Sequence, residues 1–244
     1  MDIYDKMAEY YDLIYDDDTD LAFYVNEAQN TRGSILEIAC GTGRILLTLQ
    51  QLGLDITGLD MSEPMLRVLK NKAEALGLVP SVIKADMCNF NIDKQFKLII
   101  LPYRSFLHLN TEQKCVALQN FFRQLDKGGR LIIHSYNASD DECQMLDRFH
   151  LFDFDDRITV DNQKYHIEWH LKYEPKPNIG HYKIILNFES NAKYEYDMDL
   201  YFISVNSLYD LLKNSGYKNI RFYCGFDYSQ YDENCKEVIL IAEK

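Results

Sequence analysis

The sequence lacks the features by which several classes of protein are recognised. It carries 26 Lys and Arg against 38 Asp and Glu, and no stretch is rich in basic residues. Because a nucleic-acid backbone requires a basic footprint, the net charge of −12 argues against nucleic acid as the main partner. The start M-D-I-Y-D-K is too acidic for a signal peptide, and no run approaches the ~20 apolar residues of a membrane helix. We therefore expect a cytoplasmic protein that does not bind membranes.

The six cysteines lack the spacing of a metal or redox site. They form no CxxC pair, and none has a histidine at zinc-site spacing, so we predict no metal. Free thiols in a reducing cytosol are the simplest interpretation, since a buried cysteine behaves as a small hydrophobic residue.

Strands and helices alternate over most of the chain. The strands are predicted over 34–39, 55–60, 80–85, 96–101 and 130–135, and the helices over 42–52, 62–76 and 111–125. Ser62 is the predicted N-cap of the second of these helices, with Pro64 in its first turn. Such alternation is typical of βαβ units around a parallel sheet. A helix over 204–215 and strands over 220–224 and 237–242 continue the pattern later in the chain.

Residues from about 148 to 203 break this alternation. Runs of alternating aromatic and polar residues are separated by turn signals, and they are predicted as strands over 149–154, 158–160, 165–173, 182–189 and 194–202. We predict a small antiparallel sheet inserted into the α/β domain. Its aromatic residues could cover a ligand or form the surface of a homodimer. Residues 1–30 are predicted as one or two helices broken near Asp16.

The turn after the first strand reads I-L-E-I-A-C-G-T-G-R. A dinucleotide fingerprint has the form G-x-G-x-x-G or G-x-G-x-x-A, and Leu46 occupies its last position here, so the fingerprint fails. Gly41 and Gly43 remain, and glycines at such positions can take φ > 0 and let a ligand approach the backbone. An ordinary tight turn is the alternative.

Two acidic residues follow at comparable points of the next strands. Asp60 ends the second strand, 17 residues beyond Gly43, where an acid can accept hydrogen bonds from both hydroxyls of a ribose. Asp86 ends the third strand. Because ligands of open α/β sheets bind at the carboxyl ends of the strands, these residues are predicted to line one cleft. A solvated strand end or a helix cap is the alternative for Asp60.

Several segments together resemble the class I S-adenosylmethionine-dependent methyltransferases of the small-molecule type. They are I-L-E-I-A-C-G-T-G-R, I-T-G-L-D-M-S-E-P-M-L, I-K-A-D-M, L-D-K-G-G-R-L-I-I, the N-terminal Y-D-K-M-A-E-Y-Y-D-L-I-Y and the ending E-V-I-L-I-A-E-K. The resemblance implies an α/β fold with a seven-stranded Rossmann-like sheet, helices on both faces and an antiparallel last strand. It implies a cofactor-binding domain of residues 1–147 and 204–244, in which helices of 1–30 cover the cleft. The inserted sheet of 148–203 would be a lid that selects the acceptor.

The resemblance also implies S-adenosylmethionine as the cofactor. The residues implied to bind it are Tyr11, Glu37, Ala39, Cys40, Gly41, Gly43, Asp60, Met61, Asp86, Met87 and Leu101. Glu37 and the Ala39 to Gly43 turn would hold the methionyl part, Asp60 the ribose and Met61 the adenine. Asp86 and Met87 would border the adenine edge, and Leu101 would offer its carbonyl.

Charge agrees with this ligand. Carboxylates suit its hydroxyls, ammonium and sulfonium, and they would repel a pyrophosphate. For Glu37, pairing with Arg44 or Lys84 is the alternative.

The acceptor side is predicted at P-Y-R-S-F-L-H-L, after the fourth strand. Methyl transfer from a sulfonium is an in-line displacement, so the protein must align the nucleophile and exclude water. Tyr103 could orient the acceptor, and Arg104 could bind an acidic group on it. His108 is the candidate base, needed for a hydroxyl but not for a free amine. A structural His108, bonded to the backbone, is the alternative, and His134 in the fifth strand is predicted to be structural.

These residues predict methyl transfer to a nitrogen or oxygen of a small-molecule acceptor. The tetrad N-P-P-[YF], which many enzymes acting on nucleobase or protein amides carry, is absent. A regulatory protein that binds the cofactor without catalysis is one alternative. An RNA methyltransferase is another, although it conflicts with the negative charge.

Overall fold

The computed structural model describes residues 3–138, 140–146, 148–158 and 164–244. The chain divides into two compact units. The first comprises Met1–Asp16 and Ala138–Phe202, and the second comprises Asp17–Asn137 and Ile203–Lys244. The N-terminal residues therefore divide between the units after Asp16. The assignment of one part as a cofactor domain and another as a lid stays a prediction.

The second unit is built on a mixed sheet. Its strands are β1 (Ile35–Ile38), β2 (Ile56–Asp60), β3 (Ser81–Lys84), β4 (Phe96–Leu101), β5 (Leu125–Tyr136), β10 (Lys218–Cys224), β11 (Ser229–Gln230) and β12 (Glu237–Glu243). The spatial order is β11-β10-β12-β5-β4-β1-β2-β3. The pairs from β3 across to β5 are parallel, and β12 is antiparallel to both β5 and β10. The α/β class and the antiparallel last strand are confirmed, and the two-residue β11 adds an eighth strand to the predicted seven.

Helices cover both faces of this sheet, as predicted. They are α3 (Leu21–Gln29), α4 (Arg44–Gln51), α5 (Glu63–Ala75), α6 (Thr111–Gln124) and α8 (Val205–Asn214). One core cluster contains Leu36 and Ile38 of β1 with residues of α6 and α8. The other contains Ile35 of the same strand with residues of α3, α4 and α5. Alternate residues of β1 thus point into opposite cores, as the twofold period of a strand requires.

Helix caps and a bulge explain where the elements begin. The Ser62 hydroxyl accepts a hydrogen bond from the Met65 amide at 3.3 Å, so the predicted N-cap of α5 is confirmed. Asn110 and Gln113 form a capping box at the start of α6. The strand β5 begins directly after α6, earlier than predicted. Its pairing moves from Phe96↔Leu125 to Leu98↔Arg130, so the ladder is interrupted by a bulge between these pairs.

The first unit contains the predicted antiparallel sheet. Its strands are β6 (His150–Ile158), β7 (Lys164–Glu174), β8 (Ile179–Phe188) and β9 (Lys193–Tyr201), paired in that order. The helices are α1 (Ile3–Met7), α2 (Tyr11–Ile14) and α7 (Asp140–Cys143). Residues 159–163 lie outside the described residues, so the predicted turn at 161–162 and most of the predicted strand over 158–160 are not tested.

Aromatic side chains join the N-terminal residues of the first unit to its sheet. The Tyr10 and Tyr194 hydroxyls are hydrogen-bonded at 2.7 Å, and the Tyr15 ring lies 5.4 Å from that of Trp169. Part of the aromatic face is therefore used for packing within the unit. A homodimer through this sheet stays a prediction.

Two of the six cysteines contradict the prediction of free thiols. Cys224, at the end of β10, and Cys235, just before β12, form a disulfide with a Cα–Cα distance of 5.4 Å. The antiparallel pairing of the two strands brings these positions together, which spacing along the sequence does not reveal. Cys40, Cys88 and two further cysteines form no disulfide within the described residues. No helix in the described part of the chain is long and apolar enough to cross a membrane, and a cytoplasmic location stays a prediction.

Candidate active site

The turn between β1 and α4 contains three left-handed residues. Ala39, Gly41 and Gly43 have φ values of 56°, 51° and 86°, whereas Cys40 keeps a negative φ. A left-handed alanine is uncommon, and such strain collects at functional sites. A Cβ atom added to Gly41 would meet nothing within 4 Å, whereas one added to Gly43 would lie 2.6 Å from Cγ of Leu69. Gly41 therefore leaves the backbone open to a ligand, and Gly43 permits close packing against α5.

The Cys40 side chain belongs to the core. It is 4% exposed, and a Cβ on Gly58 of β2 would lie 2.7 Å from its Sγ. Burial, Glu37 and Asp60 all raise the pKa of the thiol. Cys40 thus offers a ligand its backbone alone.

Asp60 links the turn after β1 to the start of α5. Its Oδ2 accepts a hydrogen bond from the Gly41 amide at 2.8 Å, and its Oδ1 accepts one from the Ser62 amide at 2.8 Å. Asp60 therefore acts in part as a helix cap, which was the alternative interpretation of this residue. A carboxylate has about four acceptor sites, so these bonds are compatible with further bonds from ribose hydroxyls.

Glu37 has a buried oxygen atom without a hydrogen-bond partner. The residue is 2% exposed, and Oε2 is the atom concerned. Burial raises the pKa of this carboxyl well above its usual value, opposed by Arg44 and by a backbone hydrogen bond from Leu46. Arg44 forms a bidentate ion pair with Asp20, including an Nη2–Oδ2 distance of 2.7 Å. The alternative required Arg44 to pair with Glu37, and Arg44 pairs with Asp20 instead. The charge of Arg44 nevertheless lowers the pKa of the Glu37 carboxyl.

The residues implied to contact an adenine are apolar or acidic. Met61 follows Asp60 and is 52% exposed, which leaves its apolar side chain available to pack on a flat ring. Asp86 lies two residues beyond β3, and its Oδ1 accepts a hydrogen bond from the Cys88 amide at 2.8 Å. Met87 is half-buried, and Leu101 is fully buried at the end of β4.

The turn after β4 is strained at two consecutive residues. Tyr103 and Arg104 have φ values of 55° and 61°, and each left-handed non-glycine residue costs about 1–3 kcal/mol. A 3₁₀ turn over Ser105–His108 follows. The Ser105 hydroxyl donates to the Pro102 carbonyl at 2.8 Å. His108 is the last residue of the 3₁₀ turn and is half-buried.

Tyr103 is suited to donating a hydrogen bond. The Arg44 guanidinium lies 5.4 Å from the centre of its ring. Burial raises the pKa of the phenol to about 12. Because the hydroxyl keeps its proton at neutral pH, Tyr103 can orient an acceptor but cannot act as its base.

Arg104 is already engaged by an acid that the sequence did not reveal as part of this site. Its Nε donates to Oε2 of Glu237 at 3.2 Å, and its guanidinium lies 4.0 Å from the centre of the Tyr136 ring. The same Oε2 lies 2.6 Å from Nε2 of His134. Burial raises the pKa of Glu237, but His134 and Arg104 outweigh it and lower the value to about 2. An acidic acceptor would therefore compete with Glu237 for Arg104.

The remaining predicted residue lies in the other unit. Tyr11 begins α2, where its ring is 4.8 Å from that of Tyr15 and 6.1 Å from that of Tyr4. Within residues 3–138, 140–146, 148–158 and 164–244, no three His, Cys, Asp or Glu side chains are grouped to hold a metal ion.

Comparison with known sequences identifies part of the chain. The family model described as a methyltransferase domain matches residues 35–129. YqeM of Bacillus subtilis, a provisionally assigned methyltransferase, is 30% identical over 142 residues, which cover 54% of this chain and 56% of YqeM. The chain thus spans about half the length of the curated relatives it matches.

Solved structures with the same fold cover nearly the whole chain. A S-adenosylmethionine-dependent methyltransferase from Clostridium acetobutylicum has a TM-score of 0.81 at 18% identity and covers 99% of both chains. The sugar N-methyltransferase KedS8 from a Streptoalloteichus species has a TM-score of 0.73 at 20% identity, covering 96% of this chain and 92% of its own. At these identities the likeness establishes the fold alone.

The residues at the carboxyl ends of β1 and β2 fit S-adenosylmethionine, the cofactor that the resemblance of the sequence implies. The unpartnered Oε2 of Glu37 would be satisfied by an ammonium group, and the open backbone at Gly41 lies beside the Asp60 carboxylate. Residues 35–129 match a methyltransferase domain, and the chain shares its fold with S-adenosylmethionine-dependent methyltransferases.

Proposed function

We propose that this protein transfers a methyl group from S-adenosylmethionine to the nitrogen of a small-molecule amine. The observation that carries the proposal is the buried, unpartnered Oε2 of Glu37 beside a turn that Asp60 holds open at Gly41. A buried acceptor without a partner costs about 1–3 kcal/mol, which an ammonium donor would recover.

Each cofactor residue would contact a different part of the ligand. Glu37 would accept from the ammonium, Asp60 from the ribose hydroxyls, and Met61 would pack on the adenine. Asp86 and Met87 would border the edge of the base. The bound cofactor supplies a methyl group already activated on a positively charged sulfur, so the chain's own task is alignment and exclusion of water.

The turn after β4 favours an amine over an acidic or hydroxyl acceptor. Tyr103 keeps its proton and can donate, and the charge of Arg104 is balanced by Glu237. A neutral amine would attack the methyl carbon with its lone pair while the bond from that carbon to the sulfonium sulfur breaks and leaves a neutral thioether. The methylated ammonium would then lose its proton to water, so the amine needs no base. A hydroxyl needs one, and His108 is the candidate for that role. The fold shared with KedS8, a sugar N-methyltransferase, supports the same choice.

Titration calorimetry with S-adenosylmethionine tests the cofactor site. We expect the wild-type chain to bind and Asp60→Ala to bind at least about tenfold more weakly, since hydrogen bonds to a charged group contribute about 1.5–3 kcal/mol. Asp210→Ala removes an exposed carboxylate on α8 and should leave the affinity unchanged. Absence of binding by the wild-type chain would contradict the proposal.

Transfer of a labelled methyl group tests the acceptor. Glucosamine, catechol and tRNA represent an amine, a hydroxyl and an RNA acceptor. Methylation of glucosamine alone supports the proposal, and methylation of catechol alone shifts it to oxygen. Binding of the cofactor without transfer to amines or phenols would favour a regulatory protein. Salt-sensitive transfer to tRNA would favour an RNA enzyme.

A further inference from the structure

The first residue of the last strand joins two other elements of the second unit, β5 and the turn after β4. Glu237 lies directly opposite Tyr136 in the antiparallel ladder of β12 and β5, and His134 lies two residues before Tyr136. Directly paired residues and residues two apart share one face of a sheet, so these three side chains point the same way. Arg104, from the turn after β4, stacks on Tyr136 and pairs with Glu237.

The hydrogen bond to Glu237 also determines which ring nitrogen of His134 carries a proton. The imidazole Nε2 lies 2.6 Å from Oε2 of Glu237, whereas Nδ1 is buried without a partner. Because the carboxylate can only accept, Nε2 carries the proton that it donates. The Phe226 ring packs against this imidazole at 5.0 Å. Glu237 is thus held by His134 and is itself positioned to hold Arg104.

The Tyr103–Arg104 turn requires contacts that hold its conformation. Tyr103 and Arg104 are both left-handed, and conformations of this cost persist only where the surroundings impose them. Arg104 is restrained by Glu237 and by the Tyr136 ring. Without the Glu237 charge, Arg104 would lose a partly buried counter-ion and the turn would gain freedom to relax.

We propose that Glu237 is a positioning residue for methyl transfer, which through Arg104 keeps the Tyr103–Arg104 turn in the conformation that presents Tyr103 to the acceptor. This role rests on the proposed function. In this role, binding of the cofactor and alignment of the acceptor depend on different residues. The cofactor depends on residues of β1 and β2, whereas alignment of the acceptor depends on a side chain from the last strand.

The test compares Glu237→Gln with Glu243→Gln on the same strand. The control removes the charge of half-buried Glu243, whose Oε2 accepts a surface hydrogen bond from Asn219 at 2.7 Å. In Glu237→Gln, amide hydrogen exchange should become at least about tenfold faster in the peptide over residues 103–108, and it should stay unchanged in the control. The kcat for glucosamine should fall by about ten- to a hundredfold. The Kd for S-adenosylhomocysteine should stay within about twofold.

A double-mutant cycle with Arg104→Met tests whether Glu237 acts through Arg104. If it does, the double variant should be no slower than the slower single variant, and Arg104→Met alone should produce the same gain in exchange. That second variant also decides the matter if Glu237→Gln does not fold. Multiplicative losses of kcat, or unchanged exchange over residues 103–108, would overturn the proposal. A wild-type chain that binds no S-adenosylhomocysteine would instead overturn the proposed function, while the exchange result still decides whether Glu237 holds the turn.

Discussion

Glu37 lies near the carboxyl end of β1, and its environment opposes the charge that the cofactor would require. Burial, Asp20 and Asp60 raise the pKa of this carboxyl above its ordinary value of 4.5, while Arg44 lowers it. For an acid whose folded-state pKa is raised, folding favours the protonated form. Its contribution to stability is therefore present below about pH 4.5 and is lost as pH rises through the higher, folded-state value. At neutral pH the ligand-free chain carries this cost, which the ammonium of the cofactor would relieve.

Replacing Glu37 should separate stability from binding. We expect Glu37→Gln to match or exceed the wild-type Tm at pH 7, because the amide removes the cost of ionising a buried carboxyl. The wild type should lose stability relative to the variant as pH rises from 4.5 toward 7. The affinity for S-adenosylmethionine should fall at least about tenfold, since a charged hydrogen bond is lost. Thermal melts across this range and titration calorimetry measure both, and a lower Tm joined to unchanged affinity would contradict the role of Glu37.

At the scale of elements, the turn between β1 and α4 divides two tasks between its glycines. Gly41 faces open space, whereas Gly43 packs against Leu69 of α5. Both have φ > 0, so alanine at either position carries backbone strain. Only at Gly43 would the new methyl group also collide with a neighbouring helix.

The two alanine variants should therefore differ in whether stability or ligand binding is the property most affected. Gly43→Ala should lower the free energy of unfolding by about 2–4 kcal/mol, from strain and overpacking together. Gly41→Ala should cost about 1 kcal/mol from strain alone. It should nevertheless weaken S-adenosylmethionine binding at least about tenfold, because its methyl group occupies the space beside the backbone. Urea unfolding and calorimetry on both proteins check this, and equal losses of stability would show that the packing at Gly43 is not decisive.

Most helices and strands could be predicted because their buried residues recur along the sequence with the regular spacing of a helix or a strand. The apolar residues 98–101 of β4 and the capped start of α5 were predicted close to their observed positions. The short β11 carries too few residues for any period, and the bulge in β5 depends on its pairing with β4. The same reason explains the missing site residue. Glu237 lies 133 positions from Arg104, and only the register of β12 against β5 brings their side chains together.

At the scale of the whole molecule, the excess of acidic residues should act on charged acceptors before they bind. A net charge of −12 produces a negative potential that attracts cations and is screened by salt. The Debye length falls from about 10 Å at 0.1 M to about 3 Å at 1 M ionic strength. The field would therefore favour a protonated amine on approach and leave a neutral acceptor unaffected.

Raising the ionic strength should expose this preference. Between 0.1 M and 1 M salt, we expect the KM for a cationic amine acceptor to rise at least about threefold, while the KM for a neutral acceptor stays nearly constant. Steady-state rates at saturating S-adenosylmethionine give both values. An equal change for the two acceptors would indicate that the molecule's field does not steer the acceptor.

The two backbone hydrogen bonds to Asp60 have a consequence for the speed of cofactor binding. They join the turn after β1 to the first residues of α5 in the ligand-free chain. The loop therefore loses its conformational entropy when the chain folds. Binding of a nucleoside does not require a second loss. Association at this edge should be limited by diffusion and orientation of the ligand rather than by a slow rearrangement of the loop.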